Sequence, residues 1–380
     1  MQSRSEKKIG LVLSGGGARG AYQAGVLSGF VSICEKNNIN PKISIVTAVS
    51  AGAVNGTYWA AHAHDLIEGA RQMKKMWSGL TTDRIFKSDF AHLLSNFLKW
   101  GVSLGFGGMG SKHYANSLFD TKPLDHLLGT YVDYKKIQEN LKNRHLDFFA
   151  ITAIDYLTNL SLTFVQTEQE YNEWKRVRRV SEKTIIHSKH VLGSCAIPLL
   201  FPPVRLGNRF LGDGNIRNVS PLSPAIHLGA DKIFVIGVRA MTSPPQRKDD
   251  GKKNLGIAQV FNTVLKALIL DATEFDLERF ERINSTLDFI DPKKREDFSL
   301  RKIECYQIHP QKDIASVAQN YTKKLPQAIH YMIRGIGSEA HLDDVLSYIL
   351  FDGEFCARLI EMGEEDILRD EENVLRFLKD

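Results

Sequence analysis

Alternating apolar and polar runs in the first 60 residues predict two strands joined by a helix. The apolar run Ile9–Leu13 leads into a cluster of glycines and then into a helical run that ends near Lys36. A second apolar run, Ile43–Val49, leads directly into another helical run. Parallel strands need a long crossover connection, which a helix usually supplies, so this part of the chain predicts a βαβ unit.

Four later runs also have the composition of buried strands. They are Asp147–Ile154, Leu160–Val165, Lys232–Val238 and Ile303–Ile308. Several contain almost no polar residue, which is typical of strands that are covered by helices on both faces. The sequence therefore predicts an α/β protein with three layers, α/β/α, around a mostly parallel central sheet.

Helical patterns dominate the later part of the chain and predict a helical C-terminal extension. They follow Leu255 and recur through much of 311–380. The segment 241–254 is rich in proline and charge, so an exposed loop is expected there. We divide the chain into a polar tail, an α/β domain with the candidate chemistry, and a mostly helical region: 1–8, 9–240 and 241–380. The last region should pack on and complete the α/β domain, because a strand inside it is expected to return to the same sheet.

The composition is that of an ordinary globular protein. Of the 380 residues, 43% are hydrophobic and 24% are charged, as in soluble domains. No run of about 18 apolar residues occurs, as a transmembrane helix would need, and the N-terminus lacks the apolar core of a secretion signal. We therefore expect a cytoplasmic protein, and leave peripheral membrane contact or export without a cleavable signal open.

The net charge is small but unevenly distributed. A formal charge of +5 does not demand a nucleic acid partner, and none is predicted. Six basic residues crowd the segment 171–190: Lys175, Arg176, Arg178, Arg179, Lys183 and Lys189. Such a run could rest on anionic lipid head groups, but a solvated face of a helix is the favoured interpretation.

The four cysteines indicate neither a metal site nor a disulfide framework. Cys34, Cys195, Cys305 and Cys356 are far apart and form no Cys-x-x-Cys pair. No histidine lies at a zinc-ligand spacing from them. The sequence therefore predicts reduced, mostly buried thiols and no metal ion or other cofactor.

A glycine-rich turn, Ser14–Gly20, separates the first strand from the first helix. Consecutive glycines let backbone N–H groups converge at a helix N-terminus, where they can stabilise a negative oxygen. The turn does not fit a dinucleotide-binding pattern, because no clear acidic residue ends the next strand, and it lacks the Gly-Lys-Ser/Thr of a P-loop. Taken alone, it is either an oxyanion-binding loop or a tight turn without a ligand.

The second strand ends at a serine that is flanked by small residues, Ala48-Val49-Ser50-Ala51-Gly52. A nucleophile elbow needs small residues at such a strand-to-helix corner, because the two backbones come close there and the hydroxyl is left accessible. Ala48 stands where the usual G-x-S-x-G pattern has its first glycine. Taken alone, Ser50 would more often be a helix N-cap.

A third signal is Asp213, which lies between Gly212 and Gly214 just after a short apolar run. Such an aspartate is usually a turn former. The order of the three signals changes this interpretation. A glycine loop, a serine corner one βα unit later and then Gly-Asp-Gly supply the parts of one mechanism for acyl transfer.

At this point the sequence closely resembles the patatin-like phospholipase family. The resemblance rests on the glycine loop, the Ser-Ala-Gly corner, the Asp-Gly pair and two connecting segments, Ser117–Leu124 and Ser194–Val204. It covers roughly residues 8–240. The segment Ser347–Phe351 also resembles a C-terminal extension found in some bacterial members.

The resemblance implies a role for each matched residue. It makes Ser50 the nucleophile and Asp213 its base, in a catalytic dyad. The oxyanion hole and its supporting residues then follow from the matched motifs: Gly15, Gly16 and Gly17 for the hole, and Arg19, Gly20, Ala48, Gly52 and Gly214 around it. For Arg19 an orienting role in the loop is favoured over contact with a lipid phosphate. Ala48 and Asn215 depart from the family pattern and bear on catalytic efficiency more than on the fold.

The predicted function is hydrolysis of carboxylic esters in phospholipids or lysophospholipids, without a metal ion. Asp213 would take the proton from Ser50 directly, and none of the twelve histidines adjoins either residue. One alternative is an acyl transferase with the same dyad, although malonyl-type transferases have histidine where this chain has Val49. The other is a non-catalytic lipid-binding module.

The segment 84–99 places apolar residues at helical spacing. It is interpreted either as a lid or interfacial helix beside the site or as an amphipathic helix packed on the core.

Overall fold

A computed structural model describes the fold. It covers residues 7–87, 117–240, 272–291, 300–327 and 343–379, together with residues 95, 263, 294, 329 and 330. The expected loop 241–254 and most of the segment 84–99 lie outside these residues.

Ten strands among the described residues form a single sheet. In chain order they are β1 Ile9–Leu13, β2 Ile43–Val49, β3 Phe148–Asp155, β4 Leu160–Gln166, β5 Lys175–Arg176, β6 Arg179–Lys183, β7 Val204–Leu206, β8 Arg209–Asp213, β9 Lys232–Ile236 and β10 Glu304–Ile308. The order β10-β9-β1-β2-β3 is parallel throughout. β4 and β8 both pair with β3 in the antiparallel direction, and β6 lies parallel to β4.

Thirteen α-helices are seen in the described part of the chain. They are α1 Gly20–Lys36, α2 Ala51–Ala61, α3 Leu66–Ser78, α4 Thr82–Ile85, α5 Lys122–Tyr131, α6 Tyr134–Lys142, α7 Ser188–Ser194, α8 Ser223–His227, α9 Ala272–Asp288, α10 Ile314–Ala318, α11 Asp343–Ile349, α12 Gly353–Arg369 and α13 Glu371–Lys379. Three short 3₁₀ helices accompany them: Gly17–Arg19, Gly214–Arg217 and Gln319–Lys324. No described helix has the length and apolar character needed to cross a bilayer.

Two hydrophobic cores lie on opposite faces of the sheet. Successive residues of a strand point to opposite faces, so Leu11 and Leu13 of β1 enter one core while Val12 enters the other. The first core includes α1, α2 and α12, and the second includes α8 and α9. The predicted three-layer α/β/α fold with a mostly parallel sheet is therefore confirmed.

The C-terminal part contributes to both the sheet and the helical layer. β10 pairs with β9, and α12 packs on α1 so closely that a Cβ on Gly25 or Gly363 would collide with backbone atoms of the facing helix. The division of the chain at residue 240 remains a prediction.

The segment of basic residues does not form the helix face that was favoured from sequence. Lys175 and Arg176 form β5, and Arg179 and Lys183 bound β6, so most of the segment is a short hairpin at the edge of the sheet. Only Val177 and Val180 are apolar in the hairpin, so no alternating pattern marks its strands in the sequence.

Candidate active site

Ser50 occupies a strained corner between β2 and α2. Its φ of 53° and ψ of −128° are sparsely populated by residues with a side chain, and such strain clusters at functional sites. A Cβ on Gly52 would collide with the carbonyl oxygens of Leu13 and Ser14. Only glycine lets the helix approach β1 this closely, as a nucleophile elbow requires.

Asp213 ends β8 and lies beside Ser50. The Ser50 hydroxyl donates a hydrogen bond of 2.6 Å to Asp213 Oδ2, and the Asn215 N–H donates one of 2.9 Å to Asp213 Oδ1. Asp213 is only 1% exposed. Gly214 lets the chain pass close to β3, since a Cβ there would collide with the carbonyl oxygen of Thr152.

Burial makes the Asp213 carboxylate a stronger base. Loss of solvent raises the pKa of Asp213 from 3.8 to about 6, against the opposing effect of the hydrogen bonds from Ser50 and Asn215. A carboxylate with a pKa near neutrality accepts a proton more readily than an ordinary one and is still largely ionised at pH 7. Among the described residues, no histidine forms a hydrogen bond with Ser50 or Asp213.

The backbone of Ser50 is held by the last residue of α7 and the residue that follows it. Its N–H donates to Ser194 Oγ at 2.9 Å, and Ser194 in turn donates to the Thr152 carbonyl at 2.6 Å. The Cys195 thiol donates to the Ser50 carbonyl at 3.1 Å. These contacts offset part of the strain at the corner.

The glycine loop lies directly against Ser50. A Cβ built on Gly15 would be 2.8 Å from the Ser50 Cβ, and one on Gly16 would be 2.7 Å from a Val238 methyl. Gly17 has a φ of 56°, and a side chain there would collide with the carbonyl of Tyr348. Gly15 therefore brings the backbone of the loop close to Ser50. The helix α1 begins immediately afterwards, as the sequence predicted.

Arg19 joins this loop to α11. Its side chain is 1% exposed. Its Nε donates to Ser347 Oγ at 2.8 Å, and its NH2 group forms an ion pair with Asp344 at 2.8 Å. The guanidinium carbon also lies 4.7 Å from the centre of the Tyr348 ring. These contacts fit the orienting role that was favoured for Arg19. Gly20, the next residue, packs against Trp77 and Ala51.

The two departures from the family pattern both lie in the site. Ala48 is buried, and a Cβ on Gly56 would be only 2.8 Å from the Ala48 Cβ. The missing side chain at position 56 therefore makes room for the extra methyl group. Asn215 packs its side-chain amide against Gly15, and its Nδ2 is buried without a hydrogen-bond partner among the described residues.

An apolar pocket opens beside Ser50. It encloses about 470 Å³ of space when the solvent at its open mouth is included. Apart from Ser50 and Gly17 its lining is almost wholly apolar: Ala51, Val54, Met76, Trp77, Leu80, Ile85, Leu124, Leu127, Cys195, Ile197, Phe201 and Phe351. Such a lining suits an acyl chain. The described residues contain no group of three or more potential metal ligands.

Several contacts at the site were not anticipated from sequence. The holding role of Ser194 and Cys195 was missed, although both lie in a segment that had been matched to the family. Asp344 and Ser347 were missed because nothing in a single sequence links them to Arg19. The four cysteines are free thiols, and all but Cys305 are buried, in line with the prediction of mostly buried thiols.

Comparisons with known proteins give one family and two distant structures. A family model described as patatin-like phospholipase matches residues 11–226, which is more than half of the chain. VipD from Legionella pneumophila is similar in structure at 13% identity and a TM-score of 0.34, over 97% of this chain and 67% of that one. The human GIVD cytosolic phospholipase A2, solved with methyl gamma-linolenyl fluorophosphonate, is similar at 10% identity and a TM-score of 0.37, over 98% of this chain and 60% of that one. No curated protein gave a significant match.

Proposed function

The chain belongs to the patatin-like phospholipase family, and from this premise we propose that it hydrolyses carboxylic esters of phospholipids or lysophospholipids through Ser50 and Asp213. The observation that carries the proposal is the 2.6 Å hydrogen bond from Ser50 to Asp213 at a strained corner beside a glycine loop. This is the arrangement of a nucleophile with its base.

In the first half of the reaction, Asp213 takes the proton of the Ser50 hydroxyl as the serine oxygen attacks the ester carbonyl. The carbonyl π electrons move to its oxygen, which becomes an oxyanion. When the tetrahedral intermediate collapses, the alcohol leaves with the proton that Asp213 held, and an acyl-enzyme remains. In the second half, Asp213 takes a proton from water as the water oxygen attacks the acyl carbonyl. When this second intermediate collapses, the fatty acid leaves and the serine oxygen takes the proton back from Asp213, which restores both residues.

The oxyanion would be stabilised by backbone N–H groups of Gly15, Gly16 and Gly17. Each donor of this kind typically accelerates such reactions by about 10² to 10³. Arg19 and Gly20 hold the loop in position, and Gly52 and Gly214 permit the close approach of backbones at the nucleophile and at the base. Ala48 fits beside Gly56. The apolar pocket would hold the acyl chain.

We further propose that the C-terminal region, 241–380, completes the catalytic domain that begins at residue 9. The support is that Asp344 and Ser347 bind Arg19, while Tyr348 lies against Gly17.

A fluorophosphonate probe tests the proposal, because the serine oxygen displaces fluoride from phosphorus and stays attached. Mass spectrometry of the labelled protein should locate the adduct on Ser50. Ser50→Ala should abolish both labelling and ester hydrolysis. Ser78→Ala, which removes an exposed hydroxyl bonded within its own helix, is the control and should change neither.

The outcomes separate the proposal from its alternatives. Labelling of another residue, or hydrolysis by Ser50→Ala, would refute the dyad. An acyl transferase would label at Ser50 but release more acylated acceptor than free fatty acid when an alcohol is added. A lipid-binding module would bind phospholipid without labelling or turnover.

A further inference from the structure

Three turns project side by side from one edge of the sheet, the edge at which β3 ends. The turn 156–159 joins β3 to β4. The turn 177–178 lies next to it, because Ser161 pairs with Arg179 and its N–H donates to the Arg178 carbonyl at 2.9 Å. The β7–β8 hairpin extends past the end of β3, since Leu211 already pairs with Asp155. The Tyr156 N–H donates to the carbonyl of Phe210 in that hairpin at 2.9 Å.

This edge is also the edge that holds the candidate dyad. β2 and β3 are parallel, and Val49, which precedes Ser50, pairs with Thr152 near the end of β3. Asp213 pairs with Ala153. The Tyr156 ring lies against Gly212, the residue before Asp213. The three turns therefore lie beyond the dyad on the same side of the sheet.

Apolar side chains are exposed on two of these turns and on β8 directly after the third. Val177 is 88% exposed and Leu157 is 65% exposed, while Tyr156 and Phe210 are each 40% exposed. A single exposed apolar residue is ordinary. Val177 and Leu157 have most of their surface in solvent and therefore add little packing to the fold.

Basic residues surround these side chains. Lys175, Arg176, Arg178 and Arg205 are exposed, and Arg217 is half-buried. None of the five forms an ion pair with any described residue: Arg205 bonds to the Gly207 carbonyl and Arg217 to the Asn159 side chain. The turns 156–159, 177–178 and 207–208 contain no acidic residue. We call the four apolar and five basic residues the arginine edge.

We propose that the arginine edge is the surface with which the protein binds an anionic phospholipid membrane. Separate apolar tips that stand out between cations can enter the interfacial layer of a bilayer while the cations meet its phosphates. The choice of a lipid partner rests on the proposed function, since bound in this way the protein would hold its dyad facing the bilayer.

Binding can be measured apart from catalysis. The Ser50→Ala protein is sedimented with phosphatidylcholine vesicles that either contain or lack phosphatidylglycerol. We expect binding to the anionic vesicles alone, and its loss in 1 M salt, where the screening length is about 3 Å. Arg176→Gln/Arg178→Gln should weaken binding about 30-fold, since each basic residue near an anionic surface contributes about fivefold. Val177→Asp should weaken it on the order of tenfold.

The chain offers matched controls in the same hairpin. Ile185, 64% exposed, and the exposed Lys183 lie toward the opposite end of β6. Ile185→Asp and Lys183→Gln make the same chemical changes away from the arginine edge and should leave binding within about twofold of the parent, less than the fivefold effect of one basic residue at the surface.

Two results would overturn the inference. One is a pattern of vesicle binding that does not depend on the arginine edge: the control variants lose as much binding as the arginine-edge variants, or the arginine-edge variants lose none. The other is binding to a soluble acidic polymer, dependent on Arg176 and Arg178, in place of binding to vesicles. Hydrolysis of a soluble short-chain ester by the same variants with Ser50 intact should be unchanged. Absence of that activity in the parent would refute the proposed function instead.

Discussion

The raised pKa of Asp213 makes a quantitative prediction about the pH dependence of activity. If Asp213 is the base, only its ionised form works, and with a pKa of about 6 the ionised fraction falls from about nine-tenths at pH 7 to about one-tenth at pH 5. We therefore expect kcat/KM to drop roughly tenfold over that range. An Asp with the ordinary pKa of 3.8 would stay mostly ionised at pH 5, and the drop would be absent.

The same burial predicts an effect on stability. Well below pH 3.8 the Asp213 carboxyl is neutral in both the folded and the unfolded chain, so it does not change the free energy of unfolding there. As the pH rises to 6 the unfolded chain ionises first, and the free energy of unfolding falls. A pKa that moves from 3.8 to about 6 lowers it by about 3 kcal/mol, at about 1.4 kcal/mol per pKa unit.

Asp213→Asn tests both effects in one protein. The amide cannot accept the serine proton, so turnover should nearly disappear. It carries no charge to bury, so at pH 7 the variant should unfold at higher urea concentration than the parent, and the advantage should shrink toward pH 4. Initial rates on a soluble ester and urea unfolding at both pH values are the measurements.

Asp276→Asn provides the control. Asp276 is also buried, with a pKa raised by burial, and accepts hydrogen bonds from Ser220 and Leu222, but it has no contact with Ser50. Its replacement should leave the rate and its pH profile unchanged. Activity of Asp213→Asn within a few-fold of the parent, or a flat rate between pH 5 and 7, would show that another group serves Ser50.

Two further predictions concern the departures from the family pattern. Gly56→Ala should lower the free energy of unfolding by about 1–3 kcal/mol through its clash with Ala48, and Ala48→Gly in the same chain should recover most of the loss; a double variant no more stable than Gly56→Ala would contradict this packing. Asn215→Leu removes a buried amide nitrogen that lacks a partner among the described residues, so urea unfolding should show unchanged or higher stability, by up to about 3 kcal/mol. A clear loss of stability would mean that the amide does have a bonding partner.

The long strands were predictable because buried strands consist largely of apolar residues, and such runs can be recognised in the sequence. Lys232–Ile236 is buried along its whole length, and a run of apolar residues follows from that. β5 and β7, with two and three residues, are exposed or half-buried and carry no such run. Their pairing depends on neighbouring strands, which a local pattern does not reveal.

The candidate site was predictable as far as its residues form local motifs. Ser50 and Asp213 each lie among small residues that the backbone geometry requires, and their order matched one mechanism. The contact of Ser194 with Ser50 spans 144 residues, and that of Asp344 with Arg19 spans 325. Neither partner has an unusual local sequence, so only the folded chain brings them to notice.

The link between Arg19 and α11 has a consequence for the order in which the protein matures on the ribosome. The loop with Gly17 is synthesised before its backing at Tyr348, which is translated more than 300 residues later. Chains grow and fold from the N-terminus. Arg19 is therefore part of the nascent chain before its ion-pair partner, Asp344, has been made. If the loop needs that backing to keep its shape, the candidate site is complete only after Tyr348 has emerged from the ribosome.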